Sequence, residues 1–254
     1  MSTENTSWGN VADWYRSHVG GDDTYHSKVV APNLMRMVAP KEGKLILEIG
    51  CGEGYFARMF ANERALVDGA DIAAELIQHA EAQGGGVRYF TASADKLSFA
   101  QDGIYDVVVA VLTLQNMERI EPVMKEVARV LKPEGKFIFV LNHPAFRIPK
   151  KTAWGWDAAA KVQYRRADGY LTATKEKIDM TPGKREQKEY TYSFHRSLQD
   201  YMKGLAAAGF AISRIEEWIS HRESEQGPRK EAEDMARKEF PLFLAAEAVR
   251  VHRK

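Results

Sequence analysis

The sequence has very little cysteine and no long apolar run. Cys51 is the single cysteine among 254 residues, so no internal disulfide can form, which suits a reducing compartment. The longest apolar run, 107–112, is only as long as a strand, whereas a membrane-spanning helix needs about 20 apolar residues. Residues 1–10 also lack the basic and apolar regions of a signal peptide. We therefore expect a cytoplasmic protein with no membrane span.

An excess of charge of one sign is missing as well. The formal net charge is +1 at pH 7, so nothing in the overall charge indicates a nucleic-acid partner. A zinc cluster built on cysteines is excluded by the cysteine count, and we predict no metal site. The hydrophobic and charged fractions, 44% and 28%, are ordinary for a globular protein. The oligomeric state does not follow from any of these numbers.

Strands and helices alternate along residues 44–142. Short apolar segments bounded by glycine or polar residues predict strands, and the segments between them carry apolar residues at helical spacing. The predicted strands are 44–50, 66–72, 87–92, 105–112 and 136–142, and the predicted helices are 55–64, 73–83 and 121–131. Units of this kind pair their strands in parallel and place helices on both faces, which predicts a doubly wound α/β sheet.

The alternation stops at residue 143. No clear period runs through 143–194, where basic residues outnumber acidic ones, and a stretch of about 50 irregular residues is typical of a lid, a binding loop or a small subdomain. A helix then begins near Ser197, which forms a predicted capping box with Asp200. Two further strands are predicted at 210–219 and 240–251, which makes seven in all. The predicted parts are an N-terminal cap (1–43), the core (44–142), a lid insert (143–194) and the C-terminal part of the core (195–254).

A glycine-rich turn follows the first predicted strand and is the strongest signal in the sequence. Gly50, Gly52 and Gly54 allow a tight turn and a close approach of a ligand to the backbone, and the next helix offers unpaired N–H groups. Asp71 ends the second strand about 20 residues later, where a carboxylate can accept both hydroxyls of a ribose. The alternatives are a purely structural turn and, for Asp71, a helix N-cap.

The spacing of these glycines separates two classes of nucleotide cofactor. Dinucleotide-binding folds prefer G-x-G-x-x-G, but Tyr55 stands where the third glycine of that pattern would be. Glu48 precedes the turn, where a carboxylate would repel a pyrophosphate but can face the cationic amino group of a methionine moiety, directly or through water. The pattern therefore favours S-adenosylmethionine, and a nicotinamide-dependent oxidoreductase remains the less favoured alternative.

Several motifs in sequence order resemble the class I S-adenosylmethionine-dependent methyltransferases, in the branch that includes the ubiquinone and menaquinone biosynthesis methyltransferases. They are LEIGCGEG (47–54), GADI (69–72), ASADKLSF (92–99), YDVVV (105–109) and VLKPEG (130–135). The resemblance covers 44–142. It implies a Rossmann-like, mostly parallel sheet with a C-terminal antiparallel strand, and methyl transfer from S-adenosylmethionine to a small-molecule acceptor. An RNA or protein acceptor is the alternative.

The motif positions imply which residues would bind the cofactor. These residues are Glu48, Gly50, Cys51, Gly52, Gly54, Asp71, Ile72, Ser93, Ala94, Asp95, Ala110 and Gln115. The aspartate that contacts adenine in the family falls on Ser93, so the resemblance leaves this contact to Ser93 or to Asp95. Where relatives often carry two histidines after the fourth strand, this chain has LQNM (114–117).

Candidates for the acceptor side are titratable and aromatic residues near the expected pocket. His143 follows the fifth strand, and His195 lies in a segment that resembles the pocket border of small-molecule methyltransferases of this branch, so both are candidates for catalysis. The candidates for substrate binding are Tyr15, Tyr25, His26 and Tyr192. Each histidine has the alternative of a surface or capping role. The aromatic residues of the insert, such as Trp154, have the alternative of forming a small core of their own.

Overall fold

The computed structural model describes residues 21–181 and 189–251. In order, β1–β11 are Leu45–Ile49, Leu66–Asp71, Arg88–Thr91, Tyr105–Val111, Leu131–Asn142, Thr152–Asp157, Val162–Ala167, Thr174–Asp179, Tyr190–His195, Phe210–Trp218 and Phe243–Arg250. The helices α1–α6 are Ala31–Val38, Tyr55–Asn62, Ala74–Ala82, Glu121–Val130, Leu198–Ala207 and Lys230–Glu239. A π-helical turn, His26–Val30, leads into α1, and a 3₁₀ turn, Leu114–Asn116, follows β4.

Seven strands form one sheet in the order β10-β11-β5-β4-β1-β2-β3. The strands β1 to β5 pair in parallel, and β11 runs antiparallel to both of its neighbours, β5 and β10. The chain order reverses between β1 and β4, and the carboxyl ends of strands at such a reversal are where open α/β sheets bind ligands. The predicted doubly wound sheet, mostly parallel with one antiparallel C-terminal strand, is confirmed.

Helices cover both faces of the sheet because its central strands bury apolar side chains on both sides. Along β4, Val107 and Val109 pack with residues of α1 and α2, whereas Val108 packs with residues of α4 and α5. The predicted apolar face of α4 is confirmed, since Val123 and Val127 are buried against the sheet. This packing holds the central strands in place, and with them the turns at their carboxyl ends.

The segment 143–194 contains regular structure that the sequence analysis did not predict. Two antiparallel hairpins, β6–β7 and β8–β9, lie in it, so the expectation of an irregular segment is wrong. These strands are mostly exposed or half-buried on both faces, and β6 has no buried residue. A strand with one buried face shows apolar residues at every second position. These strands have no such face, so their sequence does not alternate and did not predict strands. The division into cap, core and lid insert stays a prediction.

Two local boundaries also differ from the prediction. Residues 132–135, which lie between the predicted helix 121–131 and the predicted strand 136–142, belong to β5, because Leu131 pairs with Tyr105 and the pairing continues from Lys136 after a register shift. Between the predicted strands 210–219 and 240–251, where no helix is predicted, the chain forms α6. The capping box at the start of α5 is confirmed, since Ser197 and Asp200 each accept a hydrogen bond from the backbone amide of the other.

Within the two described ranges, the structure contains no helix of the length and apolarity that crossing a membrane requires. The cytoplasmic location stays a prediction.

Candidate functional site

The glycine turn between β1 and α2 uses a backbone conformation that favours glycine. Gly50, Gly52 and Gly54 all have positive φ, at 64°, 55° and 76°. A Cβ on Gly50 would lie 2.1 Å from Oγ1 of Thr113, and a Cβ on Gly54 would lie 2.1 Å from the hydroxyl of Tyr89. Side chains of any other type would therefore collide with the end of β4 or with β3. The turn needs glycine both for its dihedral angles and for its packing.

Asp71, at the carboxyl end of β2, is held by the backbone around it. Its Oδ2 accepts from the Gly52 amide at 2.9 Å, and its Oδ1 accepts from the Ala73 amide at 2.9 Å. Burial raises the pKa of Asp71, and these backbone amides oppose that rise. A carboxylate offers about four lone-pair sites, so both oxygens can still accept a hydroxyl. Asp71 thus ties the glycine turn to the start of α3 and faces the adjoining cavity.

Glu48 and Gln115 each carry a buried oxygen with no hydrogen-bond partner among the described residues. Glu48 is 2% exposed, and burial raises its pKa to about 8, with the charge of Asp71 adding to the rise. Gln115, in the 3₁₀ turn after β4, lines the cavity with its Oε1 unpaired. Buried polar groups normally have partners, so the Gln115 oxygen on the cavity wall is open to a ligand hydroxyl or amino group or to a bridging water, whereas Glu48 is buried outside the wall.

One cavity of about 730 Å³ lies over the carboxyl ends of the central strands. At one end, which we call the cofactor half, its wall includes Gly50, Gly52, Asp71, Ile72, Ser93, Ala94, Asp95 and Gln115. The Ser93 hydroxyl donates to Asp95, and the Ala92 amide donates to the carbonyl of Asp71, which fixes the loop after β3 against β2. Most of the predicted cofactor residues are thus brought together around one space.

The turn after β4 closes the middle of this cavity. Leu112 has a positive φ of 53°, which is costly for a residue with a side chain. Its amide donates to the Val140 carbonyl at 2.8 Å, and its own carbonyl accepts from the Asn116 side chain at 3.1 Å. These bonds hold the strained turn that carries Leu112, Thr113 and Gln115 to the cavity wall.

The opposite end of the cavity, the acceptor half, is assembled from segments far apart in the sequence. Tyr25 and His26 precede α1, Arg147 follows β5, Arg222 follows β10, and Phe243 begins β11. Tyr25 packs edge-on against Phe243, with ring centroids 6.0 Å apart, and its hydroxyl lies 3.3 Å from that of Ser220. Burial, and then the charge of Arg147, lowers the pKa of His26 to about 4, so this imidazole is neutral at pH 7.

The two histidines predicted for catalysis do not line the cavity. His143 is buried, and its Nδ1 accepts from the backbone amides of Ala145 and Phe146, so Nε2 donates to Glu217 at 2.7 Å. His195 is buried as well, and its Nε2 donates to the Tyr170 carbonyl at 2.8 Å. In both residues the ring holds a loop in place, and the catalytic roles stay predictions.

Other predicted site residues fall away from the cavity wall. Tyr192 is 39% exposed beneath the ammonium of Lys175. Ala110 is buried in the core of β4, and Cys51 is buried with the pKa of its thiol raised by burial, which fits packing. Tyr15 lies outside the described residues. Glu48, Cys51 and Gly54 also do not line the cavity, whose wall takes only Gly50 and Gly52 from this turn.

Sequence reasoning missed several residues of the acceptor half. The most polar of them are Arg147 and Arg222, and the apolar ones include Met180 and Phe243. Only the position of Arg147 in the sequence could have indicated its role, because it lies in the segment after the fifth strand, which was expected near the pocket. No pattern in the sequence links Arg222 or Phe243 to this space.

A methyltransferase domain family matches residues 47–139. The ubiquinone biosynthesis O-methyltransferase of Pectobacterium carotovorum is 35% identical over 101 residues, which cover 38% of this chain and 42% of the relative. That of Thiobacillus denitrificans is 33% identical over 112 residues, which cover 42% and 48%. The chain spans less than half of the length of these curated relatives.

Solved structures match over much more of the chain. An S-adenosylmethionine-dependent methyltransferase from Mesorhizobium loti has a TM-score of 0.69 at 27% identity and covers 90% of this chain and 99% of its own. One from Aquifex aeolicus has a TM-score of 0.59 at 13% identity and covers 94% and 98%, and this likeness concerns the fold alone. Together, the fold, the matched domain and the Mesorhizobium loti structure support a class I S-adenosylmethionine-dependent methyltransferase. Its sequence relatives include ubiquinone biosynthesis O-methyltransferases and, at 31% identity over 149 residues (58% of this chain and 29% of the relative), a biotin biosynthesis bifunctional protein from Cellvibrio japonicus.

Proposed function

We propose that this chain transfers a methyl group from S-adenosylmethionine to a small-molecule acceptor, with oxygen as the receiving atom. The observation that carries the proposal is one continuous cavity that joins the glycine turn and Asp71 to the acceptor half around Tyr25 and His26. Its volume of about 730 Å³ is in the range of small-molecule sites. The choice of oxygen is supported by the curated relatives, which are named as O-methyltransferases.

The residues of the cofactor half fit S-adenosylmethionine. Asp71 would accept the ribose hydroxyls, and Glu48 would face the cationic amino group directly or through water. The unpaired Oε2 of Glu48 supports this, because the Glu48 carboxylate has a backbone hydrogen bond from Ala57 but Oε2 has no partner, and an added cation would stabilise its charge. The Ser93–Asp95 loop would border the adenine, with an amide from Ala94 and side-chain oxygens from its neighbours. The positive φ of the glycines lets the ligand approach the backbone closely.

The chain's own task is chiefly to align the acceptor. When bound, S-adenosylmethionine would supply a methyl group on a sulfonium: the acceptor oxygen bonds to the methyl carbon, the carbon–sulfur bond breaks with its electron pair on sulfur, and the hydroxyl proton passes to His26 or to water. Holding two reacting groups in line contributes several kcal/mol to such a step. His26, neutral at pH 7, would accept the hydrogen bond of an acceptor hydroxyl and so direct its lone pair. His143 and His195 are not assigned to this step, because their rings hold loops outside the cavity.

The experiment follows a labelled methyl group. The protein is incubated with methyl-labelled S-adenosylmethionine and a cell extract that is then separated into small-molecule, RNA and protein fractions. We expect label in the small-molecule fraction, and we expect Asp71→Ala to abolish it. Label confined to RNA or to protein would contradict the small-molecule acceptor, and failure to bind S-adenosylhomocysteine would contradict methyl transfer itself.

A further inference from the structure

Two guanidinium groups face the acceptor half. Arg147 lies over the ring of Phe243, with its Cζ 5.3 Å from the ring centroid, and burial lowers the pKa of its guanidinium. Arg222 stands at the cavity wall with its Cζ 5.1 Å from the centroid of the Tyr25 ring, and it donates to the Asp23 carbonyl at 3.4 Å. The end of the cavity away from the glycine turn is therefore positively charged.

No carboxylate pairs with Arg147 or Arg222 within the part of the chain that the structure describes. The acidic residues of the cavity wall are engaged elsewhere: Asp71 accepts backbone amides, Asp95 accepts from Ser93, and Glu118 pairs with Lys175 at 3.4 Å. The charge of Arg165 adds to the positive potential at Arg147. A half-buried guanidinium without an anion is unfavourable, because its lost hydration is not replaced.

We propose that the acceptor carries an anionic group, a carboxylate or a phosphate, and that Arg147 binds it. This rests on the proposed function, since it names the class of acceptor for the same cavity. The planar guanidinium donates two parallel hydrogen bonds that match the oxygens of either group. Phe243 beneath Arg147, and Met180 and Tyr25 on the same cavity wall, give the rest of the acceptor an apolar surface, which suits an aromatic or aliphatic body. Arg222 at the wall adds a second, more exposed positive charge.

The test compares matched probes on protein saturated with S-adenosylhomocysteine. Calorimetry measures binding of benzoate against benzamide and of phenyl phosphate against phenol. We expect the anionic member of at least one pair to bind about tenfold to a hundredfold more tightly, as charge-assisted hydrogen bonds do. Arg147→Gln should remove this preference. Arg147→Lys keeps the positive charge but loses the two parallel donors of the guanidinium, so it should keep part of the preference. Arg166→Gln is the matched control, because Arg166 pairs with Asp168 at the surface.

The outcomes distinguish a failure of the proposed methyltransferase function from a failure of the anionic acceptor. If S-adenosylhomocysteine does not bind, the proposed function falls, and the anionic acceptor falls with it. If it binds, but the paired probes bind equally, or no anion binds at millimolar concentration, or the preference survives Arg147→Gln, then the anionic acceptor is wrong while the methyltransferase function stands. The pair that shows the preference distinguishes a carboxylate from a phosphate.

Discussion

The two halves of the cavity are built in different ways. In the cofactor half, backbone conformation and backbone hydrogen bonds determine the geometry. Three glycines with positive φ form the turn, and Asp71 is anchored by the amides of Gly52 and Ala73. In the acceptor half, side chains from distant segments contact one another through their rings and guanidinium groups, as Arg147 does with Phe243. The first half depends on local conformation, and the second depends on the packing of the whole fold.

The largest effect that we expect comes from breaking the backbone of the cofactor half. Gly50→Ala places a Cβ 2.1 Å from Oγ1 of Thr113 and forces alanine into the left-handed region. The strain and the displaced turn together should weaken binding of S-adenosylhomocysteine on the order of a hundredfold or more, measured by calorimetry. Gly43→Ala is the matched control, since Gly43 also has positive φ but meets nothing within 4 Å. Equal binding by the two variants would contradict the prediction.

A pH-dependent effect on stability should come from the acceptor half. The pKa of His26 is lowered from 6.5 to about 4, so between these values the unfolded chain binds a proton that the folded chain does not. The free energy of unfolding should therefore fall as the pH decreases from about 6.5 to 4, and His26 should contribute about 3 kcal/mol of that loss. Urea unfolding of the wild type and of His26→Gln across this range measures the contribution. Parallel pH profiles for the two proteins would show that His26 is not responsible.

This difference between the halves also explains what the sequence could predict. The glycines and Asp71 were found because their task is to shape a backbone, and residue type and spacing report on backbone shape. His143 was predicted from its closeness to a strand end, but its ring direction is set by Glu217, 74 residues away, and no local pattern shows that contact. Arg147 was missed for the same reason, because its position depends on Phe243 in the last strand of the sheet.

Binding to the cofactor half should depend on pH through Glu48. Its pKa of about 8 means that the carboxyl is largely protonated at pH 7, and a cationic amino group beside it favours the ionised form. Binding of S-adenosylhomocysteine should therefore release a proton, and the affinity should rise by up to about tenfold per pH unit between about pH 6 and 8. Calorimetry at several pH values measures this slope. Glu48→Gln keeps the size of the side chain but cannot titrate, so its affinity should be nearly independent of pH, whereas a flat profile for the wild type would rule out the contact.

The smallest effect on binding and transfer should come from His195, which lies outside both halves. His195→Ala removes the hydrogen bond from Nε2 to the Tyr170 carbonyl and leaves that carbonyl without this donor, which should lower the free energy of unfolding by about 1–3 kcal/mol. The affinity for S-adenosylhomocysteine and the rate of label transfer should stay within about twofold, because the ring does not reach the cavity wall. Urea unfolding and the label-transfer assay, run well below the melting temperature, separate the two effects. A large loss of transfer with unchanged stability would instead assign His195 to catalysis and would extend the acceptor half to the hairpin of β8 and β9.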